Sequence, residues 1–233
     1  MVPLFLAVRG APPKRVAMIG FVGSYGQLFV TNHWVMYPFS DYLFLPTPVA
    51  FVIMLVLGAA LVPMLALGWA AAGFIVARTR VPWWVAGPVA ITAAELLRNY
   101  QPFGGDPWGT VGMSVATVDL LRQGASAVGV YGLVFAILLV NAVIAEVIAR
   151  RRGRFPIVAV AFASLVAVAW GGWGAYRLSA APDIDRTVKI AVLQGSIEQH
   201  VINAPTESAE QVRAIYHQLQ DEALSRGAEI VVW

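Results

Sequence analysis

Cysteine is absent from this 233-residue sequence. Its absence excludes disulfides, thiolate metal sites and any cysteine nucleophile within these residues. Charge is scarce too: only 12% of the residues are Asp, Glu, Lys or Arg, against roughly 25% in a soluble globular chain. A twofold deficit leaves too few ionised side chains for the surface of an ordinary soluble fold. No His, Asp or Glu spacing matches a metal site, and no glycine-rich loop matches a phosphate cradle. Neither metal nor cofactor is therefore expected. A signal peptide is not expected at residues 1–10, because no charged stretch precedes the apolar run and no cleavage site follows it. That run is expected to be the tail of a helix that begins further upstream.

What the sequence has in quantity is apolar side chain, 59% of the total, with a mean hydropathy of +0.71. Lipid is then the expected main solvent. The net charge of +3 comes mostly from arginines that stand singly or in short clusters between apolar runs. Membrane orientation accounts for that distribution, and no nucleic-acid partner is expected.

A helix needs about 20 apolar residues to cross roughly 30 Å of hydrocarbon. Five segments approach that length: 16–37, 49–76, 81–97, 125–149 and 156–176. The second is long enough to tilt and contains Pro63, where a kink is expected. The third is short. Residues 98–124, between the third and fourth, are semi-polar and too irregular to span. Trp34, Tyr37, Trp83, Trp84, Trp170 and Trp173 fall near segment ends, where aromatic belts form. Arg9, Lys14 and Arg15 precede the first segment, Arg78 and Arg80 follow the second, and Arg150, Arg151, Arg152 and Arg154 follow the fourth. All three clusters fall on one side of the membrane, while the alternate loops hold Asp41, Asp106 and Asp119 against only Arg98 and Arg122. The positive-inside rule makes the clusters cytoplasmic, so the chain after Arg177 is expected outside, in the periplasm.

Composition changes at Arg177. Residues 178–187 read as a linker, and 188–193 as a strand rich in β-branched residues. Thr206 is placed to cap a helix whose first turn carries Glu207 and Glu210. Val212, Ile215, Leu219 and Ala223 make one apolar stripe, Gly227 stops the helix, and 229–233 read as a second strand. Strand, helix, strand is one parallel βαβ unit. The fold class is thus a polytopic α-helical membrane domain of about five spans, 1–177, followed by the first βαβ unit of an α/β domain, 188–233. A single unit of this kind cannot bury its own surfaces, so a larger domain is expected to continue past Trp233.

The strand Val188-Lys189-Ile190-Ala191-Val192-Leu193-Gln194-Gly195, with Ile230-Val231-Val232-Trp233 following, resembles the start of the nitrilase-type carbon–nitrogen hydrolase fold. Set outside the membrane directly after several spans, it resembles the apolipoprotein N-acyltransferase family. Asn32-His33-Trp34-Val35 is similar to that family's Asn-Trp-Val. Glu95-Leu96-Leu97-Arg98, Asp106-Pro107-Trp108-Gly109 and Val111-Gly112-Met113-Ser114 are similar to its Glu-x-x-Arg, Phe-Pro-Trp and Gly-Tyr-Ser run. Gln194-Gly195-Ser196-Ile197 is similar to its Gln-Gly-Asn/Asp-Ile. The resemblance implies an inner-membrane enzyme that moves an acyl chain from a phospholipid to the free amino group of a diacylglyceryl-cysteine at a lipoprotein N-terminus. It implies a thioester on a cysteine, a glutamate base and a lysine that stabilises the oxyanion. All three are expected beyond Trp233, the base two residues on, so these 233 residues alone are expected to be inactive. The partners implied are a membrane phospholipid as donor and a diacylglyceryl apolipoprotein as acceptor, with the protein a monomer. One departure stands at Asn203, where the family carries a tryptophan.

Four residues are the substrate-binding candidates: Glu95, Arg98, Trp108 and Trp34. Glu95 and Arg98 lie one helical turn apart, so they form either a local interfacial ion pair worth about 0.2–0.5 kcal/mol or a wall of a headgroup cavity. Trp108 is either an interface anchor or a gate to substrate access. His33 is expected to make a headgroup or helix contact, and Gln27 and Asn141 to make interhelical hydrogen bonds. Glu146 and Arg150 are expected to pair on the surface. Gly20, Gly23 and Gly26 share a helical face suited to close packing. Two alternatives stand beside the enzyme reading, a non-catalytic membrane scaffold and a transporter or channel subunit. Few ionisable groups lie within the spans and no repeated pair of broken helices is legible, which counts against transport.

Overall fold

The computed structural model describes residues 1–100, 105–150, 155–180, 187–197 and 207–233, with the side chains of 207 and 208 set aside. The expectations for Arg151, Arg152 and Arg154, for most of the 178–187 linker, for Asn203 and for the Thr206 cap lie outside these residues.

The helical unit begins with α1 (Val2–Ala7) and α2 (Pro13–Asn32). A 3-10 turn at His33–Val35 follows, and the unit resumes at Leu45 with α3 (Thr47–Arg78). Next come α4 (Trp83–Leu97), the short α5 (Asp119–Arg122), α6 (Ala125–Ala149) and α7 (Ile157–Ser179). Prolines at the first turns of α1, α2 and α3 suit positions whose N–H has no intrahelical partner. Among the described residues α3, α6 and α7 are the helices long and apolar enough to cross a membrane. The first expected segment ends early, because the chain tightens into the 3-10 turn at His33. α3 runs through Pro63 as one helix. α4 is 15 residues long with Pro88 inside it, about 22 Å at 1.5 Å per residue, which is shorter than the hydrocarbon core.

The core is built where five helices meet. Phe5 and Val8 near α1, Val16 of α2, Trp69 of α3, Ile91 of α4 and Val134 and Leu138 of α6 form one buried cluster. Phe5 packs on Trp69 with ring centroids 5.1 Å apart. Small residues let these helices close: Gly20 of α2 faces the Trp69 side chain, Gly23 faces Leu4, and Gly68 of α3 lies against Ala94 of α4. Gly26, expected on the same packed face, has open space around it. A second cluster joins Leu28, Val62, Leu65 and Ala94, and a third joins Leu139 and Val143 of α6 to Ala159 and Ala163 of α7. Trp170 and Trp173 do more than sit at a span end. Their indole N–H groups donate to the Leu121 carbonyl at 2.6 Å and to the Ser126 hydroxyl at 3.1 Å, tying α7 to the chain around α5.

The second unit comprises Pro182–Trp233 together with Phe39–Phe44. In it β1 (Ile190–Val192) pairs in parallel with β2 (Ile230–Val232), with Ile190 opposite Ile230 and Val192 opposite Val232. α8 (Glu207–Ser225) connects them, giving the expected strand–helix–strand order. Tyr216 of α8 stacks on Trp233 at 5.4 Å. Gly227 takes a φ of +80° at the turn into β2, a left-handed conformation that glycine adopts without Cβ strain. Ile190, Val192, Ile230 and Val232 remain substantially exposed, so one face of the pair is apolar and uncovered by the unit itself.

Candidate functional site

The site starts at the last turn of α4, where an i,i+3 spacing puts Glu95 and Arg98 on one face. Neither is at a wet interface: Arg98 has 0% of its surface exposed and Glu95 1%. The reading of a weak interfacial pair is therefore replaced by a buried network. Arg98 Nη2 donates to Glu95 Oε2 at 2.9 Å and to the Trp108 carbonyl at 3.0 Å. Arg98 Nη1 donates to Asp106 Oδ2 at 3.1 Å, and the Arg98 carbonyl accepts from the Asp106 N–H at 3.3 Å. Asp106 in turn accepts from the Trp108 N–H at 3.3 Å and from the Asn32 amide at 3.5 Å. Gln27 and the Val111 backbone lie beside Glu95.

This network shapes a loop rather than an open ionic site. A guanidinium offers donors in a planar fork, and here the fork holds two carboxylates and one backbone carbonyl. Trp108 is thus fixed at both its N–H and its C=O while its ring stays 58% exposed. Gly109 next to it takes a φ of +66°, and a Cβ there would strike the Thr31 side chain of α2. The loop can run this close to α2 because that position has no side chain. The Trp108 ring meets Trp34, just beyond α2, edge to face at 5.6 Å and 87°.

Two cavities open on either side of Trp108. The larger, about 810 Å³, is lined by Leu4, Val111, Met113 and Ile137 with Gln27, Thr31, Ser114 and Asn141 among them. The smaller, about 330 Å³, is lined mostly by apolar side chains of α2 and α3, including Leu28, Phe29, Met54 and Leu61. Thr110 Oγ1 in the first and Asn32 Oδ1 in the second are buried and have no hydrogen-bond partner among the described residues. An apolar cleft with a few convergent polar atoms is what an amphiphilic ligand needs.

All four sequence candidates fall in this one region, with Trp34 and Trp108 at the surface and Glu95 and Arg98 beneath. Gln27 of α2 bonds the loop rather than another helix through this contact, donating to the Gly109 carbonyl at 3.3 Å, and it also lies beside Glu95 of α4. Asn141 accepts from the Val2 N–H at 3.2 Å and donates to Ile137 within its own helix at 2.8 Å. His33 stays outside, its ring nitrogen 2.8 Å from the Val30 carbonyl of its own helix. Glu146 pairs with Arg150 as expected but not at the surface: it is 3% exposed and accepts from Arg9 as well. Asp106, Asn32 and Thr110 were not singled out as site residues. For Asp106 a signal existed, since a buried arginine needs more acceptors than one carboxylate offers and Asp106 stands two residues before Trp108. Among the described residues no three His, Asp or Glu side chains gather as a metal site requires.

The profile of the apolipoprotein N-acyltransferase N-terminal domain matches residues 1–143. A Geobacter metallireducens protein named apolipoprotein N-acyltransferase is 28% identical over 239 aligned residues, covering 99% of this chain and 44% of its own length. Proteins of the same name from Nitrosomonas europaea and Brucella suis are 30% and 31% identical, covering 94% and 60% of this chain and 42% and 26% of their own lengths. The chain spans less than half the length of the curated relatives it matches.

Proposed function

Since this chain belongs to the apolipoprotein N-acyltransferase family, we propose that its helical unit is the membrane platform of an enzyme that moves an acyl chain from a phospholipid to the amino group of a diacylglyceryl-cysteine. The acceptor on this reading is the N-terminus of a diacylglyceryl apolipoprotein. One observation carries it: an exposed Trp108 clamped by a buried ionic network between two largely apolar cavities. Trp108 and Trp34 form the apolar gate past which acyl chains reach those cavities. Glu95 and Arg98 serve substrate binding indirectly, as positioning residues, because both are shut away from ligand.

On this reading five helices, α2, α3, α4, α6 and α7, cross the inner membrane, the short α4 being lengthened by the 3-10 turn Arg98–Tyr100 that follows it directly. The first, second and fourth begin or end at the cytoplasmic arginine and lysine clusters, which sets the orientation. The β1–α8–β2 unit is the start of a periplasmic nitrilase-like domain. Its uncovered apolar face supports this, since parallel sheets are normally covered on both sides. The thioester chemistry implied by the family needs a cysteine, and this sequence has none. The 233 residues therefore supply the platform and not the chemistry, and they act as a monomer.

A photoreactive diacylglyceryl-cysteine peptide tests the gate directly. With the chain in lipid nanodiscs, cross-links should map to residues 107–114 and fall severalfold in Trp108→Ala. Cross-links spread over the outward face of α7 instead would sink the reading. In a strain depleted of lipoprotein N-acyltransferase, the chain alone should give no growth.

A further inference from the structure

About 20 residues along α6 from the loop that carries the gate, or roughly 30 Å at 1.5 Å per residue, a second feature combines charge with an apolar groove. The groove holds about 430 Å³ between α6 and α7 and is lined by Val143, Ile144 and Val147 on one side and Phe155, Val160 and Ser164 on the other. Ser164 carries the sole hydroxyl among the described lining residues. Its mouth is open, with Ile144 43% and Phe155 59% exposed. Val143, Val147 and Arg150 are spaced i, i+4, i+7, so the arginine caps the helical face that walls the groove.

That arginine belongs to a built cationic cluster. The Glu146 carboxylate, its side chain 4% exposed, holds Arg150 through Nε and Arg9 through Nη1. Two guanidiniums share one carboxylate, leaving a net positive charge. Their side chains are 46% and 32% exposed, and the remaining N–H groups of each are not bonded to Glu146. Two guanidiniums fixed on one carboxylate, with further N–H groups that bond no side chain among the described residues, match the oxygens of a phosphate diester.

We propose that this is a binding site for an anionic phospholipid of the surrounding bilayer, its phosphate held by Arg150 and Arg9 and one acyl chain laid in the α6–α7 groove. The lipid is a fixed component that closes the seam between the two helices, distinct from the acyl donor at the gate, and the assignment does not depend on the acyltransferase reading. Basic pockets between membrane helices on the cytoplasmic side select anionic head groups for the same reason.

Native mass spectrometry of the purified chain tests it, in detergent with equal amounts of dioleoylphosphatidylglycerol and dioleoylphosphatidylcholine. The wild type should retain the phosphatidylglycerol in clear excess, and Arg150→Gln should cut that preference about fivefold, the worth of one basic residue near an anionic group. Ser164→Phe, which fills the groove from an exposed position, should lower retention without unfolding the chain. Arg80→Gln, on a different connection, should leave the preference unchanged, and millimolar inorganic phosphate should not displace the lipid. Equal retention of both lipids by the wild type would overturn the assignment. So would an Arg80→Gln loss as large as that of Arg150→Gln, which would indicate diffuse surface charge.

Discussion

Truncating Arg98 to alanine would leave Glu95 and Asp106 as two buried carboxylates with no cation between them. Breaking a buried ion pair from one side costs about 3–5 kcal/mol, and Arg98→Ala should lower stability by that much in denaturant titrations in mixed micelles. A loss under about 1 kcal/mol would mean that the network is not desolvated as described. Arg98→Lys should recover only part of the loss, since one ammonium nitrogen cannot stand at both places where Nη1 meets Asp106 and Nη2 meets Glu95 and the Trp108 carbonyl. Trp108→Ala should behave in the opposite way. Its ring is exposed and gives up one edge-to-face contact, about 0.5–1.5 kcal/mol, so the fold should survive while lipopeptide cross-linking falls. The pairing of Glu95 with Arg98 was legible from their spacing. Asp106 was legible only through the acceptors a buried Arg98 still needs, and Asn32 was not legible, because its partner Asp106 is 74 residues away and leaves no periodic trace.

At the scale of elements, α6 carries the clearest local irregularity. Gly129 has φ +65° and ψ 178° inside the helix, a backbone region that side chains avoid, with open space around it. Gly129→Ala should therefore cost about 1–3 kcal/mol through the backbone alone, measured by the same titration. If the variant is as stable as the wild type, the helix runs straight there and the break is not built in. Helix bounds were read well where apolar runs are long: α6 matches 125–149, and α3 and α7 differ from their expected segments by a few residues. They were read poorly at α2, whose last expected turns leave the α conformation at His33. The buried state of Glu146 was also illegible, since its second partner Arg9 is 137 residues away.

At the scale of the whole molecule, the absence of cysteine makes any introduced thiol unique. A membrane-impermeant maleimide applied to intact spheroplasts should label Ser225→Cys, and should label Arg80→Cys only after lysis. The reverse pattern would invert the orientation inferred from the charged clusters. The central claim is that these residues form an acyltransferase platform gated at Trp108. It is tested most directly by replacing the matching segment of the Geobacter metallireducens relative with residues 1–233 and expressing the chimera in a strain depleted of lipoprotein N-acyltransferase. The chimera should support growth, and the same chimera carrying Trp108→Ala should not, at equal membrane abundance. Failure of the unaltered chimera, or growth of the Trp108→Ala form at the unaltered rate, would contradict the account.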